Sequence, residues 1–461
     1  MLEVLTIETP GLGDRSYLAH DGKVALVIDP QRDIDRVLDL AASAGVKITH
    51  VAETHIHNDY ISGGLDLAHR TGATYLVHAE DDVEYEREPV ADGASVQVGA
   101  LTVQAIATPG HTHHHLSYLV SEGDRPKALF TGGSLLYGSV GRTDLNGEHV
   151  AEDLTRDQYR SVRKLASMVP DEVEVWPTHG FGSFCSSAKT SGAHSGTVGD
   201  ERKSNLALTM EDEDQFVAQL LSGLTAYPRY YAHMAPINLS GPTPLDLTPP
   251  GELDAEQLRS QIRSGRWVVD LNNRRAYARG HLPGTISVEL GKSFATYLGW
   301  VLPWGTPVTL IGDSMQEVAE AQRELVRIGI DRLEGAATGG RAELAGEQGL
   351  ASYPVADFKA LAEVLAGDHP PLVLDVRRHD ERAEGWIAGS VHVPLQDLVD
   401  HLKHLPHGPI WTHCASGFRA SIAASIISRG GKHAVHIDDE WDRAAGAGLA
   451  MNGTGSESRR S

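Results

Sequence analysis

The sequence lacks the features of a secreted or a nucleic-acid-binding protein. Only two of its 461 residues are cysteines, Cys185 and Cys414, and two distant cysteines cannot form a disulfide framework. This scarcity is typical of a reducing compartment, so we expect a cytoplasmic protein. Basic residues are also scarce, because 40 Lys and Arg stand against 62 Asp and Glu, a net charge of -22. Since no basic patch interrupts this charge, we expect no nucleic-acid partner and no binding to anionic lipid.

Long hydrophobic runs are missing as well. One uncharged stretch of nearly membrane length, residues 295–312, contains two prolines and three glycines, which break a membrane helix. We expect it to form a strand, a loop and a second strand, and we expect no membrane association. The amino terminus has neither a basic start nor an apolar run, so no signal peptide is expected.

What is present indicates several folded domains. Hydrophobic residues make up 41% of the chain and charged residues 22%, and the length predicts about three domains. Over residues 1–240, short β-type runs such as VLTIET and KVALVID alternate with Gly- and His-rich turns, and DIDRVLDLAASAG predicts an amphipathic helix. A segment rich in Pro, Gly and Ser, residues 228–250, marks the predicted end of this first domain.

The second half of the chain repeats itself loosely. Residues 266–290 and 371–395 share a strand that ends in Asp, a charged stretch and a Gly-containing turn. We therefore predict two α/β modules, residues 251–350 and 355–450. The polar residues 452–461 are predicted to form a disordered tail.

The strongest chemical signal is a loop between a β-type run and a helix-type run. Its residues are Cys414, Ala415, Ser416, Gly417, Phe418 and Arg419. Backbone N–H groups at the start of a helix, together with the charge of Arg419, favour a thiolate on Cys414. Gly417 allows the loop to curl its N–H groups around an anion. The pattern predicts a reactive cysteine, with a buried structural cysteine as the alternative.

This loop, with LDVR and GWIAGSVHVP upstream, resembles that of the rhodanese family over residues 355–450. In that family the cysteine carries a persulfide sulfur between donor and acceptor. The resemblance implies a catalytic role for Cys414 and Arg419 and an anion-binding role for the residues between them. A cysteine-dependent phosphatase is the alternative, but its loops place five residues between Cys and Arg, whereas four stand here. The middle module has Gly312 where Cys414 would be, so we predict an inactive rhodanese-like domain with a packing or docking role.

Three histidine motifs stand in the first domain, each beside Gly or Pro or directly after a β-type run. They are THIHNDY at 54–60, TPGHTHHH at 108–115 and THG at 178–180. His55 and His57, two residues apart, can point into one cleft from an irregular turn. Metal ligands are the prediction, and surface histidines are the alternative.

These motifs resemble the HxHxDH, TPGH and HG motifs of the metallo-β-lactamase superfamily. The segment FTGGSLLYGSVGRTDL at 130–145 is similar to the FTGD…GRxD segment of the glyoxalase II-like branch, which includes persulfide dioxygenases. The resemblance covers residues 1–240 and implies an αββα sandwich. The whole chain is therefore predicted to be an α/β multidomain protein, with the sandwich ahead of two rhodanese-like domains. This order of domains resembles that of persulfide dioxygenase–rhodanese fusions.

The ligand set departs from that pattern. A persulfide dioxygenase holds one Fe(II) with two His and one Asp. The two His correspond to His55 and His111, but the Asp position falls on Gly133. The last His of HxHxDH, which dinuclear hydrolases use, is Tyr60. Three outcomes stay open: mononuclear Fe(II) on the two histidines, a different metal such as Zn recruited by His57, Asp59 and His179, or no metal.

Two further residues are candidates. Arg142, in GRTD, either binds a substrate carboxylate or pairs with Asp144. Cys185, shortly after His179, either faces the cleft or is buried, and the lack of a charged partner in the sequence favours burial.

These patterns together predict an enzyme of sulfur metabolism that handles low-molecular-weight thiol persulfides, such as glutathione persulfide, with thiosulfate or sulfite as further partners. Sulfur transfer through Cys414 is expected, with iron-dependent oxidation of the persulfide to sulfite in the first domain. The alternatives are a glyoxalase II-like thioester hydrolase and a protein that binds or carries persulfide without metal. The assembly stays open between a monomer and a homo-oligomer.

Overall fold

The structure, a computed structural model, describes residues 1–187 and 192–453. The chain divides into two compact units, Met1–Asp246 with Val326–Gly329, and Leu247–Leu325 with the chain from Ile330 onward. Of the predicted tail, Asn452 pairs with Trp386 in a short antiparallel ladder, and residues 454–461 lie outside the described residues. Within the described ranges, no helix is long and apolar enough to cross a membrane.

Two β-sheets face each other in the first unit. The strands are β1 (Glu3–Thr9), β2 (Asp14–His20), β3 (Val24–Ile28), β4 (Lys47–Ala52), β5 (Thr74–His78), β6 (Glu88–Val90), β7 (Ser95–Val98), β8 (Leu101–Ala107), β9 (Leu116–Glu122), β10 (Arg125–Gly132), β11 (Leu135–Leu136), β12 (Ser139–Val140) and β13 (Glu174–Pro177). One sheet has the order β1-β2-β3-β4-β5-β6, and the other has the order β13-β10-β9-β8-β7. Tyr17, Leu26 and Phe130 belong to one apolar cluster between the sheets, and this cluster is the main core of the unit.

Helices cover the outer faces of both sheets. They are α1 (Asp35–Ala44), α2 (Gly64–Thr71), α3 (Ala151–Met168), α4 (Val198–Ser204), α5 (Leu206–Thr209), α6 (Glu213–Gly223) and α7 (Tyr231–Ser240). In α1, Val37 and Ala41 are one turn apart, so both face the sheet that carries β3 and β4. Helix α3 packs on the other sheet through Val162, and α6 packs on α3 through Phe216. This arrangement confirms the predicted αββα sandwich. The proline-rich segment at its end is not a plain linker, because it includes α7 with Pro236 inside the helix.

The second unit contains two parallel sheets. Its strands are β14 (Trp267–Asp270), β15 (Ile286–Ser287), β16 (Val308–Gly312), β17 (Leu333–Thr338), β18 (Val355–Ala356), β19 (Leu372–Asp375), β20 (Trp386–Ile387), β21 (Val391–His392), β22 (Ile410–His413), β23 (Ala434–Ile437) and β24 (Met451–Asn452). The first sheet has the order β15-β14-β16-β17, and the second has the order β18-β23-β22-β19-β21. All strands of both sheets pair in parallel. The carboxyl ends of these strands therefore form the edge at which loops collect reactive groups.

Helices connect these strands, as parallel pairing requires. They are α8 (Ala255–Arg263), α9 (Arg274–Arg279), α10 (Phe294–Val301), α11 (Met315–Arg327), α12 (Arg341–Ala345), α13 (Phe358–Leu365), α14 (His379–Ala383), α15 (Leu398–His401) and α16 (Phe418–Arg429). The uncharged stretch 295–312 ends in the strand β16, as predicted, but its first part is the helix α10, so the prediction of a strand there is wrong. Seven of the eight residues of α10 are buried, so the helix has no polar face to show a helical period in the sequence.

Candidate functional site

Loops at the strand ends bring the predicted histidines of the first unit together. His55 and His57 follow β4, His111 lies between β8 and β9, and His179 follows β13. The ring centroid of His55 lies 4.2 Å from that of His57, 4.8 Å from that of His111 and 5.4 Å from that of His179. All four rings are buried. We call these four residues the histidine cluster.

Carboxylates and carbonyls around the cluster fix the orientation of its rings. The Nδ1 atom of His111 lies 2.7 Å from the carbonyl oxygen of Arg142, and the Nδ1 atom of His179 lies 2.9 Å from Oδ1 of Asp14. The Arg142 carbonyl and an ionised Asp14 can only accept a hydrogen bond. The Nδ1 atoms of His111 and His179 therefore carry the hydrogen when Asp14 is ionised. Each Nε2 atom then keeps its lone pair, which is the form that binds a metal.

The electrostatics favour neutral rings at His55 and His111. Burial, followed by the charge of His57, lowers the pKa of His55 well below its ordinary value. Burial, followed by the charge of His179, does the same to the pKa of His111. The Nε2 atom of His111 has no hydrogen-bond partner among the described residues although it is buried. Neutral imidazoles with free nitrogens are the ligands that iron, zinc and nickel accept, so the residues of the cluster fit a divalent transition-metal ion.

His57 is held differently from the other three rings. Its Nε2 atom lies 3.0 Å from the Tyr60 hydroxyl, 3.2 Å from Oε2 of Glu53 and 3.4 Å from Oδ1 of Asp29. Burial opposes a charged ring, but these two carboxylates outweigh it and raise the pKa of His57 to about 10. The ring is therefore an imidazolium that is paired with carboxylates. Tyr60, at the position of the last motif histidine, is part of this network.

Asp59 is a second carboxyl group beside the Nδ1 atom of His179. Its Oδ2 atom is 3.3 Å from Nδ1 of His179, which also contacts Asp14. Burial raises the pKa of Asp14 and of Asp59 to about 7 in each case. The two carboxyl groups thus act on the ring of His179 from the side away from its Nε2 atom.

Gly133 leaves no room for the carboxylate that the family pattern has there. A Cβ atom at this position would lie 2.1 Å from Cδ2 and 2.6 Å from Nε2 of His111. The backbone N–H of Gly133 donates to Nε2 of His115 at 3.1 Å, which holds the loop close to the cluster. The ring of His111 therefore occupies the space that a side chain at residue 133 would need.

Arg142 is saturated by partners of its own unit. It makes a bidentate pair with Asp144 at 2.7 and 2.8 Å and donates to the carbonyl oxygens of Phe184 and Thr225. Its guanidinium carbon also lies 4.5 Å from the ring centre of Tyr227, at the wall of a cleft of about 650 Å³. The structure thus has the pairing with Asp144, and the binding of a substrate carboxylate by Arg142 stays a prediction.

Cys185 is buried, as the lack of a charged partner in the sequence indicated. Its sulfur lies 3.9 Å from the Tyr231 hydroxyl. Burial, and then the carboxyl groups of Asp59 and Asp14, raise the pKa of the thiol well above its ordinary value. A thiol of this kind is a poor nucleophile.

The cysteine loop of the second unit has the predicted setting. Cys414 directly follows β22, and α16 begins at Phe418 after Gly417, whose φ of 84° is left-handed. The carbonyl of Ala415 accepts a hydrogen bond from the backbone of Trp441 at 2.8 Å. The carbonyl of Gly417 accepts one from Nε2 of His436 at 2.9 Å. With two of its carbonyls bound in this way, the loop leads from Cys414 into the amino terminus of α16, which is the positive end of the helix dipole.

Arg419 lies in the first turn of α16 and is paired. Its two Nη atoms donate to the two carboxylate oxygens of Glu381 at 2.6 Å each. Although burial opposes its charge, the pair with Glu381 raises the pKa of Arg419 above its ordinary value. The guanidinium stays charged at the base of the loop, and Glu381 fixes its direction.

Replacing Gly417 by alanine is expected to distort the cysteine loop. The added Cβ would lie 2.3 Å from Oδ1 and 2.8 Å from the backbone Cα of Asp438, and the φ of 84° is itself costly for alanine. We expect the free energy of unfolding to fall by about 1–3 kcal/mol and sulfur transfer to fall with it, as measured by denaturant titration and by turnover. The control is Gly408→Ala, where the new Cβ meets no atom within 4 Å. Equal stability of the two variants would contradict this view of the loop.

The middle module has no nucleophile at the corresponding loop. Gly312 ends β16 where Cys414 follows β22. Arg341, just after β17, pairs with Asp270 at 2.7 Å and with Asp313 at 2.6 Å. These charges satisfy one another, and the packing or docking role of the module stays a prediction.

Sequence reasoning missed the acidic residues around the histidine cluster. Asp29 accepts hydrogen bonds from the backbone and the hydroxyl of Thr54 at 2.7 and 2.8 Å and from the Thr178 hydroxyl. Glu53 accepts from the Tyr75 hydroxyl at 3.0 Å and from Ser62. Asp29 is also the one non-glycine residue with positive φ, 51°, in the described part of the chain, a strained conformation typical of functional sites. The available signal was its place after a strand, in VIDP, which is similar to that of Asp375 in LDVR.

Comparison with known proteins agrees with this geometry. Residues 11–179 match the family model of the metallo-beta-lactamase superfamily, and residues 358–443 match that of the rhodanese-like domain. The crystal structure of a metallo-beta-lactamase from Staphylococcus aureus subsp. aureus COL is 30% identical, with a TM-score of 0.65, and covers 73% of this chain and 99% of its own.

Two curated relatives each match about a third of the chain. The hydroxyacylglutathione hydrolase-like protein of Mus musculus is 33% identical over 147 residues, 32% of this chain and 50% of its own. The hydroxyacylglutathione hydrolase of Pseudomonas entomophila (strain L48) is 29% identical, over 33% of this chain and 56% of its own. The chain thus spans about half the length of these relatives. With the αββα sandwich and the histidine cluster in place, the chain belongs to the metallo-beta-lactamase superfamily and carries a rhodanese-like domain in its second half.

Proposed function

We propose that the chain is a sulfurtransferase of thiol persulfide metabolism in which Cys414 carries the transferred sulfur. One observation carries this proposal: Cys414, although its side chain is buried, is the first residue of a loop that ends in the left-handed Gly417 and the amino terminus of α16. The match of residues 358–443 to the rhodanese-like domain supports it. The donors we propose are thiosulfate and low-molecular-weight thiol persulfides, and the proposed location is the cytoplasm.

The chemistry follows from the position of the sulfur. The Cys414 thiolate attacks the outer sulfur of the donor, and the S–S bond of the donor breaks. Sulfite or the donor thiolate leaves with the electron pair, and a persulfide remains on Cys414. An acceptor such as cyanide or sulfite then attacks the outer sulfur, and the Cys414 thiolate leaves. The N–H groups of the loop stabilise the negative outer sulfur between the two steps.

The phosphatase alternative is tested with the same protein. Four residues separate Cys414 from Arg419, so the loop is short for a tetrahedral phosphate. The guanidinium of Arg419 is also already paired with the carboxylate of Glu381. We expect transfer of sulfur from thiosulfate to cyanide, and no release of phosphate from an aryl phosphate. Release of phosphate without sulfur transfer would overturn the proposal.

A second function is proposed for the first unit, on the observation that buried, neutral histidines converge there. We propose oxidation of a thiol persulfide to sulfite, and the names of the hydroxyacylglutathione hydrolase relatives support a glutathione-type carrier. When bound, Fe(II) supplies the electron transfer to dioxygen that this oxidation needs. Thioester hydrolysis with Zn is the alternative, but dinuclear hydrolases need a bridging carboxylate, and Gly133 stands at its position. Persulfide binding without metal is the third candidate.

Oxygen uptake separates these three functions. We expect the iron-loaded protein to consume oxygen when glutathione persulfide is added and to leave a glutathione thioester intact. Thioester hydrolysis without oxygen uptake would favour the hydrolase. Binding of persulfide with neither reaction would favour the carrier.

A further inference from the structure

We propose that His55, His111 and His179 form a mononuclear metal site of three imidazole nitrogens, in which His179 takes the place of the missing carboxylate. This inference deepens the proposal for the first unit, because it names the ligands of that site. It is independent of sulfur transfer at Cys414.

The three rings are each held in one direction by a hydrogen bond at Nδ1. The Nδ1 atom of His55 lies 2.8 Å from the hydroxyl of Thr54, whose own hydrogen is donated to Oδ2 of Asp29 at 2.8 Å. The hydroxyl can therefore only accept from His55, which places the ring hydrogen on Nδ1. His111 is fixed in the same way by the Arg142 carbonyl, and His179 turns Nδ1 to Asp14 and Asp59, which leaves its Nε2 atom on the side of the site. All three rings thus present a lone pair on Nε2.

The Nε2 atoms of these rings lie close together. The Nε2 atoms of His55 and His179 lie 3.4 Å apart, and one ligand nitrogen from each of the three rings fits within 4.8 Å of the others. Imidazole nitrogens about 2.0–2.1 Å from a common metal are about 2.8–3.0 Å apart in octahedral geometry and about 3.3–3.4 Å apart in tetrahedral geometry. Lone pairs that converge in a buried space repel one another until a cation lies between them. The three rings are therefore arranged for a metal ion.

The other ligands of the family pattern do not complete this site. Residue 133 is a glycine, and the ring of His111 fills the space that a Cβ there would need. The Nε2 atom of His57 is hydrogen-bonded to the Tyr60 hydroxyl, and its Nδ1 atom has no hydrogen-bond partner among the described residues. No group of ligand atoms within 4.8 Å of one another joins His57 to both His55 and His111 in the described part of the chain, whereas such a group does include His179.

The arrangement points to one ion and not two. A second metal ion would need the last histidine of the motif, and Tyr60 stands there with its hydroxyl turned to His57 and to the carbonyl of Asp29 at 3.3 Å. His57, Asp59 and His179 also lie within reach of one ion. That set shares His179 with the proposed site. Because one nitrogen of His179 binds only one ion, a chain can use it in one set or in the other but not in both.

The test is a titration of the metal-free full-length protein with Co(II), whose absorption reports ligand number, in parallel with Fe(II) under anaerobic conditions. We expect one Co(II) per chain, and X-ray absorption of the Fe(II) form is expected to show three imidazole ligands. His55→Ala, His111→Ala and His179→Ala are each expected to weaken Co(II) binding by at least about 100-fold. The exposed His113, in the same motif as His111, supplies the control, and His113→Ala is expected to bind one Co(II) as the unaltered protein does.

Other outcomes overturn the three-histidine site. Two ions per chain, no binding, or unchanged binding in His179→Ala would each do so. Loss of binding in Asp59→Asn with retention in His55→Ala would place the ion in the other set. Circular dichroism shows whether each variant is folded. The variant His179→Gln, whose side chain is similar in size, is expected to stay folded and still to lose the metal. Co(II) binding is measured without any substrate, so the ligands of the site are tested separately from its activity. A protein that is active with other metal ligands therefore gives a different result from one that binds metal through these ligands but is inactive.

Discussion

Replacing Cys414 by serine is expected to lower sulfur transfer from thiosulfate to cyanide by at least about 1000-fold. A serine hydroxyl is not ionised in this loop, and it cannot form the S–S bond that holds the sulfur between the two steps. Steady-state turnover of the folded variant is the measurement. The loop itself should survive, because oxygen and sulfur occupy nearly the same place and its hydrogen bonds come from Trp441 and His436.

Cys185 provides the matched control for this substitution. Both cysteines of the chain are buried, but the carboxyl groups of Asp59 and Asp14 add to burial at Cys185 and hold its thiol in the protonated form. Cys185→Ser is therefore expected to keep the sulfur transfer of the unaltered protein. Full transfer in Cys414→Ser, or its loss in Cys185→Ser alone, would contradict the assignment of Cys414.

The second large effect is expected on stability, from Asp375→Asn. Asp375 ends β19 and is fully buried, and it accepts from Arg377 at 2.8 and 3.0 Å and from Arg382 at 3.0 Å. The guanidinium of Arg377 also lies 3.5 Å from the ring centre of Trp441 and is buried. Removing the carboxylate leaves a buried cation without its partner, so the free energy of unfolding of this unit should fall by about 3–5 kcal/mol. Denaturant titration at pH 7 measures it.

The same pair sets a pH dependence with a definite sign. Burial raises the pKa of Asp375, but Arg377 and His413 outweigh it and lower the pKa to about 2, from 3.8 in an exposed chain. A carboxylate with a depressed pKa stabilises the folded state above its unfolded value, and this contribution is lost as the pH falls from about 4 to about 2. We expect the unaltered protein to lose stability over this range and Asp375→Asn to lose less.

Asp380→Asn is the control for this prediction. Asp380 pairs with Arg378 at 2.9 Å but is one-third exposed, so its removal should cost at most about 1 kcal/mol. Equal destabilisation by the two substitutions would show that the buried pair has no special part in holding the cysteine module together.

Much of this structure could be predicted because local patterns carried it. The alternation of β1 to β4 with α1, the strands before each histidine motif and the strand–loop–helix around Cys414 each depend on a few neighbouring residues. The helix α10 was missed because it is apolar on nearly all sides, so no periodic contrast distinguishes it from a buried strand.

The rest of the site depends on contacts between distant residues. Asp14 reaches His179 across 165 positions, and the Asp29 carboxylate reaches Thr178 across 149. No local pattern joins such residues, so the sequence alone could not show which histidines are held as free ligands and which one, His57, is paired with carboxylates. The sequence showed that Gly133 lacks the carboxylate of the family pattern. Only the structure showed that the ring of His111 fills the space a side chain at residue 133 would need.

The most direct test of sulfur transfer is the mass of the protein after it has met a donor. The full-length protein is incubated with thiosulfate or glutathione persulfide, freed of the donor, and measured intact and as peptides. We predict the mass of one added sulfur atom, located on the peptide that contains Cys414 and removed by cyanide. A protein that gains no sulfur, or that gains it on Cys185, would contradict the proposed function.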